Sequence, residues 1–213
     1  MPQFVCWVLC KLFSGIVNPP THNSKSESIM KNMSLKIRYQ ADDFFRSYEV
    51  LKADFQSNFE KQATPTAGYT MTPCVVNLAF AVELYLKDLY QALGIKAPRV
   101  HEILKLYKKL PDQTRTDIYN HPAINENPFA TQGSIFEPNR IPGTSQGYDG
   151  FLHHIETMNK AFVEWRYSYD KGSLNYEEWF ALAFIEAIKA TADKARNATI
   201  YQHRRDQYFE MKL

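Results

Sequence analysis

The sequence has little cysteine and almost no excess charge. Its three cysteines, Cys6, Cys10 and Cys74, are too few and too unevenly spaced for a disulfide framework, and no CxxC motif or His/Cys cluster indicates a zinc site. We therefore expect no metal and a reducing, cytoplasmic location. The 25 Lys and Arg residues nearly balance 23 Asp and Glu residues, which leaves a formal net charge of +2. This balance excludes a global field that would draw the protein to nucleic acid or to an anionic membrane, so any basic site must be local.

Long hydrophobic runs and common catalytic motifs are missing as well. The most apolar segment, residues 4–17, is interrupted by Lys11 and Ser14, and it is shorter than the roughly 20 residues of a membrane-spanning helix. It also lacks the charged start of a secretory signal. No GxGxxG, P-loop, nucleophile elbow or HExxH motif supports a dinucleotide-binding, NTPase, serine hydrolase or zincin class. We expect no membrane contact and no cofactor.

Residues 1–29 are predicted to lie outside the folded domain. An Asn-Pro-Pro segment and a polar stretch follow the apolar run, a composition typical of a flexible linker over residues 18–28. Met30 and Met33 then stand just before the first clear helical pattern. We expect that residues 1–29 are a disordered extension or are absent from the natural product, and that the domain comprises residues 30–213.

The remainder of the chain shows the three-four spacing of amphipathic helices and no convincing strand. The second helix is the clearest, and Gly94 ends it where a left-handed residue belongs. The pattern predicts an all-α antiparallel bundle of about five main helices. The helices are predicted over residues 35–59, 73–93, 101–110, 148–169 and 176–208, with a short piece over 112–119. The core-facing stripe of the second helix comprises Val75, Leu78, Ala79, Val82, Leu86, Leu89 and Leu93.

Residues 120–147 interrupt the helical pattern with four prolines and three glycines. A connection of this length is uncommon in compact domains and is usually a lid, a binding loop or a disordered segment. Ile135, Phe136 and Ile141 indicate that part of it packs down. One hypothesis makes loop 120–147 the recognition element of a protein-interaction module, and the other makes it a disordered or plain surface excursion.

The fourth helix carries six large residues on one line. Their alternating spacing of four and three predicts a packing seam, and we expect the protein to form a homodimer through it. The seam comprises Phe151, Ile155, Met158, Phe162, Trp165 and Tyr169.

Four residues of the segment from 77 to 111 stand in a suggestive order. Glu83 and Lys87 lie four residues apart on an apolar helix, Gly94 follows, and His101 opens the next helix. With the later segment FVEWRYSYD, which carries Arg166, this arrangement resembles the HEPN domains (higher eukaryotes and prokaryotes nucleotide-binding). The two stretches cover roughly half of the chain, and the resemblance depends on the order and spacing of the parts.

The resemblance implies binding of RNA, a nucleotide or a protein partner in a prokaryotic defence or toxin–antitoxin setting. Many members are metal-independent ribonucleases with an Arg and a His separated by four to six residues. After Arg166 those places hold Lys171, Gly172 and Ser173. Cleavage of RNA needs an imidazole that exchanges protons near neutrality, and a lysine with an ordinary pKa near 10.4 is a poor substitute. We therefore expect a degenerate, non-catalytic member.

Two alternatives remain for the missing histidine. His153 and His154 precede Arg166 by roughly 18–20 Å along one helix, so they cannot share a site with it in one protomer. A histidine of the partner chain, or another histidine outside the usual spacing, would make the protein an active metal-independent endoribonuclease. Arg166 is the one candidate catalytic residue.

Each candidate binding residue has a structural and a functional interpretation. Arg166 forms an ion pair with Glu83 in one interpretation, and in the other it contacts a phosphate between the stacking surfaces of Tyr167 and Tyr169. The candidate RNA- or nucleotide-binding residues are Glu83, Lys87, His101, Tyr167 and Tyr169. The four-residue spacing of Glu83 and Lys87 is also that of an ordinary stabilising ion pair on a helix. A histidine at a helix start, such as His101, commonly makes one structural hydrogen bond. A basic cluster, either a solvated face or a footprint, comprises Lys105, Lys108, Lys109 and Arg115.

Overall fold

The structure is a computed structural model, and it describes residues 25–60, 71–126, 147–164 and 177–210. The chain divides into two compact units, Met1–Met33 and Ser34–Leu213. Within the first unit the described residues, 25–33, are helical. Every contact described below belongs to the second unit.

The described residues form seven helices and contain no strand, which confirms the all-α class. None of these helices is both long and apolar enough to cross a membrane. The apolar run of residues 4–17 lies outside the described residues. The helices are α1 Lys25–Glu60, α2 Met71–Ala92, α3 Ile103–Lys108, α4 Asp112–Tyr119, α5 Pro122–Asn125, α6 Tyr148–Glu164 and α7 Glu178–Glu210.

The starts of α1 and α3 differ from the predicted ones, and α5 was not predicted. α1 begins ten residues early, so the linker prediction is wrong for residues 25–28; no proline or glycine interrupts residues 21–64 to stop the helix. α3 begins two residues after His101, because the backbone of Glu102 is still extended, with φ −78° and ψ 113°. α5 was missed because Pro122 was interpreted as a breaker, whereas proline fits the first turn of a helix.

The core is built around α2. Its predicted stripe is buried from Val75 to Leu89, and Leu93 is partly buried against the same cluster. Gly94 has a φ of +69°, and the Ile95 amide donates to the Tyr90 carbonyl at 3.0 Å. The helix therefore ends in the left-handed turn that the sequence predicts, and this turn directs the chain back toward α3.

Contacts of α1 and α7 show how the long helices run relative to α2. α1 is antiparallel to α2, because Arg38 reaches Asp88 at one end while the Cys74 thiol lies 3.8 Å from the Tyr48 carbonyl at the other. α7 is parallel to α2, because Arg196 also reaches Asp88 and Glu178 lies at Tyr48. This parallel pair departs from the fully antiparallel packing that was predicted; four helices lie between α2 and α7 in the chain, so the two helices need not alternate in direction.

The described half of the α6 seam packs inside the chain. Phe151, Ile155 and Met158 are each at most 1% exposed, and the Phe151 ring lies 5.8 Å from that of Phe184 on α7. The prediction of a packing seam is confirmed for these three residues, but they are not available to a second copy. Dimerisation remains a prediction, and the side chains of the other seam residues, Phe162, Trp165 and Tyr169, lie outside the described residues.

Candidate functional site

The candidate site is centred on the carboxylate of Glu83 in the middle of α2. Glu83 follows Val82 of the buried stripe, so its side chain lies at the margin of the core and is only 6% exposed. One carboxylate oxygen, Oε1, accepts a hydrogen bond from Lys87 Nζ at 2.6 Å and contacts His101 Nδ1 at 2.9 Å. An ionised carboxylate is costly to bury without such donors, so the two partners explain why Glu83 is tolerated in this place.

The connection between α2 and α3 places His101 beside Glu83. The left-handed turn at Gly94 follows the end of α2, and the residues after it carry the imidazole back along α2 to the level of Glu83. Nδ1 faces the carboxylate, while the side chain as a whole is 75% exposed. Since the carboxylate accepts, Nδ1 carries the proton and Nε2 is directed to solvent, where it accepts a hydrogen bond when neutral and donates one when charged.

Lys87 completes the cluster from the next turn of α2. Glutamate four residues before lysine is the favourable orientation of a helical ion pair, and the Lys87 side chain is 19% exposed. The ammonium and the imidazole therefore meet the same carboxylate oxygen. The local formal charge is zero when His101 is neutral and +1 when it is protonated, so the cluster favours an anion in the protonated state.

Three of the predicted binding residues come together and the others cannot be placed. Glu83, Lys87 and His101 form one hydrogen-bonded cluster, although 18 residues separate the first from the last. Arg166, Tyr167 and Tyr169 lie outside the described residues, as do Lys171, Gly172 and Ser173. The suggested ion pair of Arg166 with Glu83 therefore remains a prediction, and the described partners of Glu83 are Lys87 and His101.

His154, one of the two histidines considered as substitutes, is a core residue. It is fully buried, its Nδ1 contacts the Glu177 carboxylate, and its ring stacks on Phe180 with the centroids 4.7 Å apart. Its neighbour His153 is only partly exposed, and the ring centroids of His153 and His154 are 6.3 Å apart. The pair of His154 with Glu177 joins α6 to the residue before α7, and no feature of the sequence indicates it.

A buried acidic group on α2 has a different, structural role that the sequence analysis missed. Asp88 is fully buried, and its carboxylate accepts hydrogen bonds from Arg38 of α1, at 3.3 Å, and from Arg196 of α7. Asp193 lies 3.5 Å from Arg38 and 3.0 Å from Arg196 and balances the second guanidinium. This network joins α1, α2 and α7 through one buried carboxylate, which guanidiniums from two other helices already engage.

The described cysteine and the acidic groups do not form a metal centre. No group of three or more His, Cys, Asp or Glu residues in the described ranges is arranged to hold a metal ion. Burial, and secondarily the charge of Glu178, raises the pKa of the Cys74 thiol to about 11. At neutral pH this thiol is therefore protonated and is neither a nucleophile nor a ready metal ligand.

Fold and site together define an all-α bundle with a carboxylate-anchored lysine and histidine at its surface. None of the protein-family models, curated proteins or solved structures with which the chain was compared matches it.

Proposed function

We propose that the protein is a HEPN-like bundle that binds a phosphate group of RNA or of a nucleotide at Glu83, Lys87 and His101 and does not cleave it. The observation that carries the proposal is the convergence of Lys87 and His101 on one buried oxygen of Glu83. That contact holds the imidazole by Nδ1 and leaves the exposed Nε2 to meet a ligand. The assignment to a defence or toxin–antitoxin setting, with a cognate partner, follows from the resemblance alone.

When His101 is protonated, the net positive charge of the cluster favours an anion such as a phosphate. Glu83 neutralises one positive charge and is itself almost buried, so a ligand meets mainly the imidazole and the ammonium. Charge-assisted hydrogen bonds from such groups to phosphate oxygens are short and roughly twice as strong as neutral ones. In the proposal, Arg166 adds a third cationic contact, and Tyr167 and Tyr169 stack on a base.

In the proposal, the protein binds RNA without cleaving it because the cluster of Glu83, Lys87 and His101 has no second proton carrier. Cleavage of a phosphodiester needs one group to accept the proton of the 2′-hydroxyl and another to protonate the leaving oxygen, while a cation stabilises the charge that develops. Lys171, Gly172 and Ser173 occupy the places in which related ribonucleases carry the histidine. Among the described residues, His101 is the one imidazole that contacts Glu83, and Lys87 is held by the same carboxylate.

A second candidate function is a metal-independent endoribonuclease in which His101 is the non-standard histidine. The observation in its favour is the same contact of Nδ1 with a buried carboxylate, because catalytic imidazoles are commonly oriented in this way. Incubation with RNA in EDTA tests it. Cleavage that disappears in both His101→Ala and Arg166→Ala would favour the enzyme over the binder.

Nuclear magnetic resonance of the histidine imidazoles during titration with AMP tests the proposed binding site. We expect saturable shifts of the His101 ring signals and a loss of binding of at least about tenfold in His101→Ala, the equivalent of one charge-assisted hydrogen bond. His121→Ala is the matched control, since His121 caps α5 by accepting from the Ala123 amide at 3.3 Å and lies outside the cluster. Equal losses in both variants, or no shift at His101, would contradict the proposal.

A further inference from the structure

Four exposed cations next to the proposed site have no partner that would explain them. Lys96, Arg99, Lys108 and Lys109 are all exposed, and the described residues place no acidic group within ion-pair distance of any of them. Lys105 lies among them but is paired with Glu102 at 2.5 Å. We call the four unpaired residues the basic strip.

The fold exposes the basic strip at the end of α3 and on the connection that leads into this helix. α3 buries Ile103, Leu106 and Tyr107 against the core, so Lys108 and the adjacent Lys109 face solvent. Lys108 and Lys109 come three and four positions after Lys105, and on a helix this spacing puts Cβ atoms about 5–6 Å apart. Lys96 and Arg99 project from the connection that leads into the same helix.

The strip concentrates positive charge far beyond the average of the chain. Residues 96–109 hold five Lys and Arg residues and one acidic residue, a formal charge of +4, whereas the whole chain carries +2. Exposed lysines that lie this close together repel one another, and unpaired like charges cost stability unless something neutralises them. A bound polyanion would remove that cost.

We propose that the basic strip binds the phosphodiester backbone of a nucleic acid. Lysine is depleted at protein–protein interfaces, which need aromatic or apolar anchors, and the strip displays no exposed aromatic side chain among the described residues. Phosphates, in contrast, are neutralised by lysine and arginine with release of counterions, and contacts to them carry no sequence information. The strip therefore binds RNA without sequence preference, and it does so whether or not His101 holds a phosphate.

The salt dependence of RNA binding, compared between two variants of equal net charge, distinguishes binding at the basic strip from a general effect of net charge. We would measure binding of a fluorescent oligonucleotide of about 16 nucleotides, single-stranded and duplex, by anisotropy between about 50 and 200 mM KCl. The test variant is K108Q/K109Q. The matched control is K36Q/R46Q on α1, which removes two exposed cations that have no ion pair within the described part of the chain and gives the same net charge.

For K108Q/K109Q we expect single-strand affinity at the lowest salt to fall by at least about tenfold, and the slope of log affinity against log salt to become shallower by about 1.4. K36Q/R46Q should stay within about twofold of the unaltered protein. A second pair, K96Q/R99Q, should repeat the effect of the first. The oligonucleotide whose affinity falls more, single-stranded or duplex, identifies the form of nucleic acid that the strip prefers.

Three results would overturn the inference: no RNA binding, equal losses in the test and control pairs, or competition by polyglutamate as strong as that by RNA, which would indicate an acidic protein instead. These failures are distinct from failure of the proposed function. His101→Ala should weaken AMP binding without changing the salt slope for RNA by more than one phosphate contact, about 0.7. If K108Q/K109Q binds RNA as well as K36Q/R46Q does while AMP binding is intact, the inference about the basic strip fails and the proposed function does not.

Discussion

At the scale of single residues, the environment of each ionisable group decides its role more than its identity does. Glu83 and Asp88 lie five residues apart on α2 and are both almost fully buried. Asp88 accepts hydrogen bonds from two arginines of other helices, whereas Glu83 shares one oxygen between Lys87 and an exposed histidine. The first carboxylate is therefore a structural fastening, and the second can present cationic groups to a ligand.

Glu83→Gln should lower both stability and ligand binding. An amide accepts the two hydrogen bonds more weakly than a carboxylate, and a hydrogen bond to a charged group is worth about 1.5–3 kcal/mol. We expect the free energy of unfolding in urea to fall by that amount and AMP binding to weaken, because His101 is no longer oriented. Glu102→Gln is the control; its side chain is 49% exposed, so it should cost under about 1 kcal/mol. Equal costs in the two variants would contradict this assignment.

Cys74 should react slowly with iodoacetamide in the folded protein. Its folded pKa of about 11 lies above the ordinary value of 9.0, so the thiolate fraction at pH 8 falls by about 100-fold relative to the unfolded chain. The raised pKa also means that the associated stability is present below pH 9 and is lost as the pH rises through about 11. Peptide mass spectrometry of labelling with and without urea checks the prediction, and equal rates would contradict it.

At the scale of elements, the bundle is joined by a few polar contacts that cross between helices. Arg38, Asp88 and Arg196 join α1, α2 and α7, and Tyr48 donates to Glu178 at 2.7 Å between α1 and the start of α7. Lys194 of α7 pairs with Asp117 of α4 at 2.9 Å. These contacts differ in burial, so they should differ in their contribution to stability.

Asp88→Asn should be the most destabilising of the acidic substitutions. It leaves two largely buried guanidiniums without their central carboxylate, and breaking such a pair usually costs about 3–5 kcal/mol. We expect a loss of about 3 kcal/mol, the lower end of this range, because Asp193 still faces both arginines. Asp193→Asn, with a side chain that is 57% exposed, is the matched control and should cost less than about 1 kcal/mol. Urea unfolding that ranks the two variants in the opposite order would disprove the fastening role.

The contact between α4 and α7 should give a small stabilisation that disappears in acid. Hydrogen bonds from Lys194 and Gln113 lower the pKa of Asp117 below its ordinary value of 3.8. Since the folded value is the lower one, the stabilisation is present above pH 3.8 and is lost as the pH falls through the folded value. The unfolding free energies of the protein and of Asp117→Asn should differ by less than about 1 kcal/mol at pH 6 and should converge as the pH falls through the lowered pKa of the folded state. A difference that grows in acid would contradict this sign.

At the scale of the whole molecule, local patterns predicted the helices well and distant partners poorly. The stripe from Val75 to Leu89 and the turn at Gly94 depend on spacing and backbone preference within α2, so both can be predicted from the local sequence. The approach of His101 to Glu83 depends on the path of the intervening connection, which spacing does not specify. The contact of Arg196 with Asp88 spans 108 residues, and only the packed bundle produces it.

The same distinction explains the outcome for the candidate site. Glu83 and Lys87 were predicted as a pair because they are four residues apart on one helix, and the structure confirms the contact. The dimer seam was predicted from spacing as well, but spacing does not reveal whether an apolar line packs within the chain or against another copy. Phe151 contacts Phe180 and Phe184 of the same chain, which only the position of α7 decides.

Under the proposed function, the cluster of Glu83, Lys87 and His101 holds a phosphate without breaking the strand. The most direct test incubates the protein with end-labelled RNA in EDTA and follows binding and strand length in the same sample. We predict a complex that weakens in His101→Ala and contains intact RNA throughout. Shortened RNA in the unaltered protein that stays intact with His101→Ala, or RNA binding that is indifferent to His101, would contradict the claim.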